Sequence, residues 1–281
     1  MAVEIIAEIG VNHNGSVETA KELIDAIALS GANTVKTQYY ITENLCEPNH
    51  PQFNMLKSLE LSFDQIKEIR QYTLDSGLKF LVSVFCLTTL NHMEYLGQDR
   101  YKIASGEIGH EPLIEAISKT KKTVIASFGM TKEGESEKLL SMMPGYYEGM
   151  PIFSKDGYLI RLYCVSAYPA PYEQIDLHEM NPNYYTTNYE GFSDHTIGPE
   201  CAIAAVALGA EIIEKHITLD RTQEGPDHHM SMQPLEFKEM VSMIRNVEKA
   251  LQPAPVNTAL KPYVTRKYSE KDGKWLRRVP K

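Results

Sequence analysis

Short runs of apolar and β-branched residues alternate along the chain with stretches in which apolar side chains recur at helical spacing. Eight runs predict strands: Val3–Ile9, Asn33–Tyr39, Lys79–Phe85, Arg100–Ala104, Thr123–Ser127, Tyr158–Val165, Gly191–Ser193 and Glu211–His216. The stretches between them have the spacing of helices. A chain in which strand and helix alternate eight times is predicted to be an α/β protein with a single (β/α)8 TIM barrel.

Signals at helix ends support this division. Ser16 can cap the first helix and Gly31 can end it, whereas Ser62-x-x-Gln65 resembles a capping box. The predicted buried face of the first helix comprises Val17, Ala20, Ile24, Ile27 and Ala28. That of the last helix, which Pro234 opens, comprises Phe237, Met240, Val241, Ile244, Val247 and Leu251. The segment Ile41–Lys57 contains two prolines and three asparagines and is predicted to be a long loop.

The predicted barrel accounts for most of the chain. It is expected to occupy residues 1–252 of the 281 residues. Beyond Gln252 the composition becomes rich in proline and then basic, so residues 253–281 are interpreted as a C-terminal tail and not as a second domain.

Composition restricts the cellular setting and the partners. The N-terminus lacks a basic region with a cleavage signal, and no apolar run approaches the length of about 18 residues that spans a bilayer. The four cysteines are scattered, as expected of reduced thiols in a cytoplasmic protein. A net charge of −9 argues against nucleic acids and acidic membranes as partners. It does not exclude a small anion, because a few clustered lysines can reverse the potential inside a cleft.

Two histidines indicate a metal site. His195 and His216 follow or end consecutive predicted strands, so a parallel barrel would place them side by side at its carboxyl end. Two imidazoles with open positions beside them suit a divalent metal. The alternative for each histidine alone is a hydrogen-bonded core residue.

Other polar side chains recur at or near the same end of successive predicted strands. They are Glu8, Lys36, Ser83, Lys102, Ser105, Glu107, Ser127, Ser166, Tyr168 and Ser193. Two lysines that converge with several hydroxyls would bind a phosphate or a carboxylate through charge and hydrogen bonds. Taken singly, a strand lysine can equally be a solvated edge charge, and a serine at a strand end can simply form a turn. Their recurrence in successive units favours a common site.

Several longer segments resemble a known family. They are Ala7–Gly15, Val35–Gln38, Tyr101–Glu107, Tyr168–Pro171, Ser193–Thr196, Glu214–Asp220 and Gly225–His228. Together they closely resemble the N-acetylneuraminate (sialic acid) synthase family, over about residues 3–251. These motifs are long, ordered and spread over most of the βα units, so the resemblance is specific.

The resemblance implies an enzyme that condenses phosphoenolpyruvate with an N-acetylated amino sugar such as N-acetylmannosamine, releasing phosphate and a nonulosonic (sialic) acid. It implies a divalent metal held by His195 and His216, expected to be Mn²⁺ with Mg²⁺ or Co²⁺ as alternatives, and a homodimer. The catalytic residues are expected to be Glu8, Glu107, Lys102, His195 and His216. The substrate-binding residues are expected to be Lys36, Gln38, Ser83, Lys102, Ser105, Ser127, Ser166, Tyr168, Ser193 and Asp227.

The sequence also departs from the family pattern. Members usually continue into a small antifreeze-like domain, and the present sequence ends about where the linker to that domain would begin. Ser83-Val84-Phe85-Cys86 stands where Thr-Pro-Phe-Asp is common, which retains the hydroxyl and changes the loop. The adjacent pair His228-His229 is interpreted as part of a hydrogen-bonded or solvated loop and not as metal ligands.

Three alternatives to the N-acetylmannosamine-type synthase remain open. The first keeps the chemistry with another acceptor, such as a diacetamido sugar, a sugar phosphate or a tetrose. The second is a Schiff-base aldolase that uses Lys102, in which the histidine pair would be idle. The third is a non-catalytic barrel that binds its ligands as a subunit of another protein.

Overall fold

The predicted strands close into one barrel in the computed structural model, which describes residues 2–131, 134–143, 159–181, 189–253 and 266–277. The barrel strands are β1 (Glu4–Gly10), β2 (Thr34–Tyr39), β3 (Lys79–Val84), β4 (Arg100–Ile103), β5 (Thr123–Ser127), β6 (Leu159–Cys164), β7 (Gly191–Asp194) and β8 (Ile212–His216). Each is parallel to the next, and β8 pairs with β1 to close the sheet. The predicted (β/α)8 fold is confirmed, and the described strand ends agree with the prediction to within one residue.

Helices connect the strands on the outside of the barrel. They are α1 (Val17–Ser30), α2 (Thr42–Leu45), α3 (Phe53–Leu59), α4 (Phe63–Asp75), α5 (Leu87–Tyr95), α6 (Glu111–Lys119), α7 (Glu135–Met142), α8 (Glu200–Leu208) and α9 (Pro234–Leu251). Within residues 266–277 an antiparallel pair, β9 (Arg266–Ser269) and β10 (Lys274–Arg277), forms a hairpin. The division of the chain at residue 252 stays a prediction.

The expected helix ends are present. The Ser16 hydroxyl accepts a hydrogen bond from the backbone N–H of Thr19, and Gly31 ends α1 with a φ of +86°. Ser62 and Gln65 form the reciprocal capping box in front of α4. These bonds satisfy backbone groups that a helix end otherwise leaves without partners.

The prediction of a long loop over Ile41–Lys57 was wrong. The segment contains α2 and the first part of α3, whose apolar residues spread over helical turns. Met55, Leu56 and Leu59 pack with Val11, Tyr40 and Phe85 in an apolar cluster above the barrel. This tertiary burial outweighs the turn-forming residues, of which both prolines lie in the short break between the two helices and two of the three asparagines lie within the helices.

Two residues assigned to buried helix faces are exposed. Ala28 lies on the solvent side of α1, and Leu23 takes its place on the buried face of that helix. Leu251 at the end of α9 is 55% exposed. Leu23 lies one turn from Ile27 on the same face, whereas the last turn of α9 extends past the body of the barrel.

Alternation along the strands sorts the barrel interior into layers. An apolar layer of Ile6, Leu81, Ile125, Leu162 and Ile212 fills the middle. Beneath it, at the amino ends of the strands, Arg100 pairs with Glu4. Above it, towards the carboxyl ends, the inward positions are polar or charged. The apolar layer therefore supports a polar floor at the carboxyl end, where enzymes of this fold carry their active sites.

None of the helices in the described part of the chain combines the length and the apolar character needed to cross a bilayer.

The apolar layer is expected to carry much of the stability. Leu162→Ala removes a fully buried side chain and should lower the free energy of unfolding by about 3 kcal/mol. Urea denaturation followed by circular dichroism measures this change. Leu29→Ala is the matched control, because Leu29 is 74% exposed. Equal costs at the two positions would contradict the layer's role.

Candidate active site

A cluster of charged side chains lies inside the carboxyl end of the barrel. Glu8 stands opposite both Lys36 on β2 and His216 on β8, and Ser193 on β7 stands opposite Glu214. Paired positions in a ladder point to the same side of the sheet. The barrel fold therefore brings residues that are up to 208 positions apart into one buried cluster.

The Glu214 carboxylate is the centre of this cluster. Its Oε1 atom lies 3.3 Å from the Lys36 ammonium and 3.8 Å from the Lys102 ammonium. The Ser193 hydroxyl donates a hydrogen bond of 2.9 Å to the same oxygen. Burial alone would raise the pKa of Glu214, but Lys102 and Lys36 outweigh it and lower the pKa to about 2. Glu214 therefore carries a negative charge at neutral pH.

Glu8 responds differently to the same surroundings. Its Oε2 atom contacts the Lys36 ammonium, while its Oε1 atom is buried without a hydrogen-bond partner among the described residues. Burial raises the pKa of Glu8 to about 7, against the opposing effect of Lys36 and with a further increase from Glu214. Two carboxyl groups whose pKa values are pushed apart can serve different roles, and Glu8 is the one that can exchange a proton near neutral pH.

The two lysines also differ. Burial would lower the pKa of Lys36, but Glu214 and Glu8 outweigh it and raise the pKa. For Lys102, burial prevails over Glu214 and lowers the pKa. Lys102 donates to the Ser127 hydroxyl at 2.6 Å. An anion bound beside Lys102 would supply the negative charge that keeps its ammonium protonated.

Hydroxyl groups line the same side of the site. Ser83 lies opposite Lys102 in the β3–β4 ladder, and its buried hydroxyl has no partner among the described residues. The hydroxyls of Ser105 and Ser166 are 2.6 Å apart. Free or mutually paired hydroxyls beside an ammonium group suit the oxygens of a phosphate or a carboxylate.

The two histidines face each other above the charged cluster. The ring centroids of His195 and His216 are 5.8 Å apart. A metal on a ring nitrogen, with a bond of about 2.1 Å, lies roughly 3.3 Å from the ring centre, so these rings are close enough to share one ion. Burial lowers the pKa of both histidines, and their proximity lowers that of His216 further. Neutral imidazoles are the form that binds metals.

Hydrogen bonds determine which nitrogen of His195 is available. Its Nδ1 lies 2.8 Å from the carbonyl oxygen of Val165. Because a carbonyl only accepts, Nδ1 carries the proton and Nε2 keeps its lone pair, an arrangement typical of metal-binding histidines. Nδ1 of His216 is buried without a hydrogen-bond partner among the described residues. The donor set therefore fits a divalent metal with nitrogen ligands.

The histidines supply part of a coordination sphere. Within the described residues no group of three or more His, Cys, Asp or Glu side chains is arranged to hold a metal. The nearest carboxylate to His216, Oδ2 of Asp227, is 3.7 Å from its Nδ1. A metal held by two imidazoles would leave positions open for substrate oxygens.

Asp227, Tyr168 and Gln38 lie around the entrance. Burial raises the pKa of Asp227 to about 6. A side chain on Gly10, whose φ is +48°, would approach Oε1 of Glu8 to 3.0 Å and Oδ2 of Asp227 to 3.1 Å. Gln38 extends to within 3.5 Å of that point. The half-exposed ring of Tyr168 lies tilted against the ring of His195, with the two ring centroids 4.4 Å apart.

The first and last βα loops are joined beside the site. The Asn12 amide donates to the carbonyl of Ile217 and to the hydroxyl of Ser231, both at 2.9 Å. The Ser231 hydroxyl in turn donates to the carbonyl of Asp227 at 2.6 Å. This seam places Asp227 at the entrance.

The adjacent histidines His228 and His229 take part in hydrogen bonds. His228 bonds to the Thr218 hydroxyl at 2.7 Å and to the Asn14 amide oxygen at 3.0 Å. His229 lies 3.2 Å from the carbonyl oxygen of Tyr168. These contacts agree with the loop role that the sequence suggested.

The structure gathers most of the sequence-predicted residues but adds one and separates another. Glu214 was missed, although it lies two residues before His216 and alternation in a strand places both on the inner face. Glu107 follows β4 in a turn of 3-10 helix, where its carboxylate bonds to His110 at 2.7 Å. Its described partner therefore lies outside the lysine–carboxylate cluster.

Comparison of the sequence with known proteins shows the family to which the chain belongs. The profile of the NeuB family matches residues 23–254, and the chain therefore belongs to the NeuB family. It is 39% identical over 250 residues to an uncharacterized protein of Methanocaldococcus jannaschii, covering 88% of this chain and 71% of that protein. It is 36% identical over 262 residues to the N,N'-diacetyllegionaminic acid synthase of Campylobacter jejuni, covering 88% and 77%.

Another relative and a solved structure extend the comparison. Human N-acetylneuraminate-9-phosphate synthase is 31% identical over 262 residues, covering 88% of this chain and 70% of that protein. The crystal structure of N-acetylneuraminic acid (sialic acid) synthetase from Leptospira borgpetersenii superposes with a TM-score of 0.81 at 31% identity. That superposition covers 93% of this chain and 89% of the other. The resemblance inferred from the motifs is confirmed at the level of the family.

Glu214→Gln tests the centre of the cluster. It should lower the free energy of unfolding by about 3 kcal/mol, because two buried ammonium groups lose their shared counter-charge. Chemical denaturation at pH 7 measures the loss. Glu115→Gln is the control, since its pair with Lys119 is exposed and water screens it, so its loss should change the stability little. Similar effects of the two substitutions would contradict the central role of Glu214.

His13 is expected to make the free energy of unfolding depend on pH. It is buried, and its Nδ1 accepts a hydrogen bond of 3.0 Å from the N–H of Gly15, which protonation would break. Burial lowers the pKa of His13 to about 4 from 6.5. As the pH falls, His13 therefore takes up a proton in the unfolded chain before it does so in the folded protein, which stabilises the unfolded chain. The stability present above pH 6.5 is lost as the pH falls towards 4. The loss is expected to reach about 3 kcal/mol.

His13→Gln should flatten this part of the stability profile. The free energy of unfolding, measured between pH 4 and pH 7, should fall less steeply for the variant than for the wild type. His50→Gln, at an exposed position, should reproduce the wild-type slope. Identical slopes for His13→Gln and the wild type would assign the pH dependence to other groups.

Proposed function

We propose that this protein condenses phosphoenolpyruvate with the open-chain aldehyde of an N-acetylated amino sugar of the N-acetylmannosamine type. The products are a nonulosonic acid and phosphate. One observation carries the proposal: two buried lysines and a set of hydroxyls converge beside a pair of neutral histidines. The lysines suit an enol phosphate, and the histidines suit a divalent metal near the aldehyde.

Lys36, Lys102 and the surrounding serines would bind phosphoenolpyruvate. The ammonium groups would neutralise the phosphate and carboxylate, and the hydroxyls of Ser83, Ser127 and the Ser105–Ser166 pair would orient their oxygens. Glu214 would keep both lysines charged and turned inward. This arrangement would hold C3 of the enol towards the entrance, where the sugar enters.

His195 and His216 would hold the metal, and Gln38, Tyr168 and Asp227 would contact the sugar. A bound Mn²⁺, Mg²⁺ or Co²⁺ would polarise the aldehyde oxygen as a Lewis acid. Attack of C3 on the aldehyde carbon forms the new C–C bond, breaks the C=O π bond so that the aldehyde oxygen takes up a proton and becomes a hydroxyl, and leaves a cationic C2 beside the phosphate oxygen. Binding and orientation by the side chains would contribute much of the rate enhancement.

A carboxyl group would complete the reaction. Water adds to C2 and loses a proton, and the resulting tetrahedral centre collapses to a ketone as the C2–O bond breaks and phosphate leaves. Glu8 is the favoured proton acceptor, because burial brings its pKa to about 7 and it lies inside the cluster. Glu107, which is paired with His110, is the second candidate.

The acceptor can differ within this chemistry. Relatives named as diacetyllegionaminic acid synthases are 36% identical, compared with 31% for those named as N-acetylneuraminate-9-phosphate or pseudaminic acid synthases. A diacetamido sugar is therefore the second acceptor to test. We further propose a cytoplasmic homodimer, as the family resemblance implies.

Phosphate release measures the proposed reaction. The purified protein, freed of metal and supplied with Mn²⁺ and phosphoenolpyruvate, should release phosphate only when a suitable sugar is present. The panel should include N-acetylmannosamine, its 6-phosphate, a diacetamido sugar and a tetrose. Lys102→Met should reduce kcat/KM for phosphoenolpyruvate by at least about 100-fold, as loss of a charge-stabilising group does. Absence of turnover with every acceptor would overturn the synthase and leave a binding protein.

A trapping experiment separates the synthase from a Schiff-base aldolase. The lowered pKa of Lys102 is compatible with an imine, so borohydride with pyruvate should be tested. The synthase is expected to give no covalent adduct, and a pyruvate adduct on Lys102 would favour the aldolase.

A further inference from the structure

We propose that the buried ion pair between Asp194 and Lys215 is a positioning device that fixes His195 and His216 at the spacing needed to share one metal. This inference rests on the proposed function, because it concerns the same metal site. It assigns a role to two charged side chains that lie outside the site itself.

The pair lies on the opposite face of the sheet from the histidines. Asp194 and Lys215 are partners in the β7–β8 ladder, and the residue that follows each of them in the chain is one of the two histidines. Successive side chains of a strand point to opposite faces. His195 and His216 therefore face the interior, while the ion pair is buried outside the sheet, with the two side chains 0% and 1% exposed.

Lys215 also holds the chain beyond the end of β7. Its ammonium lies 2.8 Å from Oδ2 of Asp194 and 2.6 Å from the carbonyl oxygen of Thr196. Oδ1 of Asp194 accepts hydrogen bonds from the Thr196 N–H at 2.9 Å and from the Thr196 hydroxyl at 2.7 Å. The residues on both sides of His195 are thus bound to the strand that carries His216.

His195 needs such support because it lies outside the regular ladder. The strand β7 ends at Asp194, so sheet hydrogen bonds do not fix His195 with respect to β8. Its carbonyl accepts from the N–H of Ala170 at 2.9 Å, and its ring donates to Val165, which tie it to the β6 side. The bonds to Lys215 supply the connection to the β8 side.

The amino end of the barrel provides a matched pair. Arg100 and Glu4 form an ion pair between strands that is also largely buried, with 11% and 19% of the side chains exposed. It lies below the apolar layer, at the opposite end from the histidines. Neutralising each pair in the same way separates general stability from positioning of the metal ligands.

The test compares the full-length wild type with two double variants. Asp194→Asn/Lys215→Met removes both charges and keeps an amide oxygen for Thr196, which limits the loss of stability that follows from one unpaired buried charge. Glu4→Gln/Arg100→Met is the control. Free Mn²⁺ is measured by electron paramagnetic resonance during a titration, and thermal denaturation reports folding.

The Asp194→Asn/Lys215→Met variant is expected to bind Mn²⁺ about 10-fold to 100-fold more weakly, a range typical of residues that orient metal ligands. Its catalytic rate should recover substantially at saturating Mn²⁺, because the ligands themselves remain. The control should bind Mn²⁺ within twofold of the wild type. Binding within twofold by both double variants, or equal weakening in both, would overturn the positioning role and leave the proposed reaction intact. A wild type that binds no Mn²⁺ would overturn both this inference and the proposed metal.

Discussion

One carboxylate determines the arrangement of the charged cluster. Glu214 lies within 4 Å of two ammonium groups that would otherwise repel each other inside the barrel. Its charge favours the ionised form of both lysines and opposes the effect of burial, which lowers their pKa values. The charge of Glu214 also raises the pKa of Glu8, so one carboxylate favours the charged form of the lysines and the protonated form of its neighbour. In the proposed reaction, both the binding of phosphoenolpyruvate and the transfer of a proton would depend on Glu214.

The inner face of the sheet carries the candidate site, and the outer face carries the contacts that hold the barrel together. Inward positions at the carboxyl end carry the groups that would meet the ligands, including Lys36, Lys102 and the histidines. Outward positions of the same strands carry apolar residues and the Asp194–Lys215 pair, which bind the scaffold together. Alternation with a period of two residues is sufficient to keep these roles apart.

The sequence predicted the fold well because the strands are short and apolar and the stretches between them have the spacing of helices. It predicted the histidine pair because His195 follows one strand and His216 ends the next, and it predicted the lysines because a charged side chain recurs within two of the apolar strands. Glu214 escaped notice because a carboxylate in a strand reveals its role only when the register shows which cations it meets. The helices α2 and α3 were not predicted, because their stability comes from packing on Tyr40 and Phe85, which local helix propensity does not reveal.

The contacts between the first and last βα loops have a consequence for how the chain folds during its synthesis. Asn12 and Glu8 come from the beginning of the barrel, whereas Ile217, Glu214 and Asp227 come from its last unit. A ribosome must therefore deliver almost the entire barrel before these parts can meet. A nascent or partly unfolded chain holds only fragments of the cluster. The cluster is therefore complete only in a closed barrel, and a ligand that binds to it would stabilise the folded chain over partly folded ones.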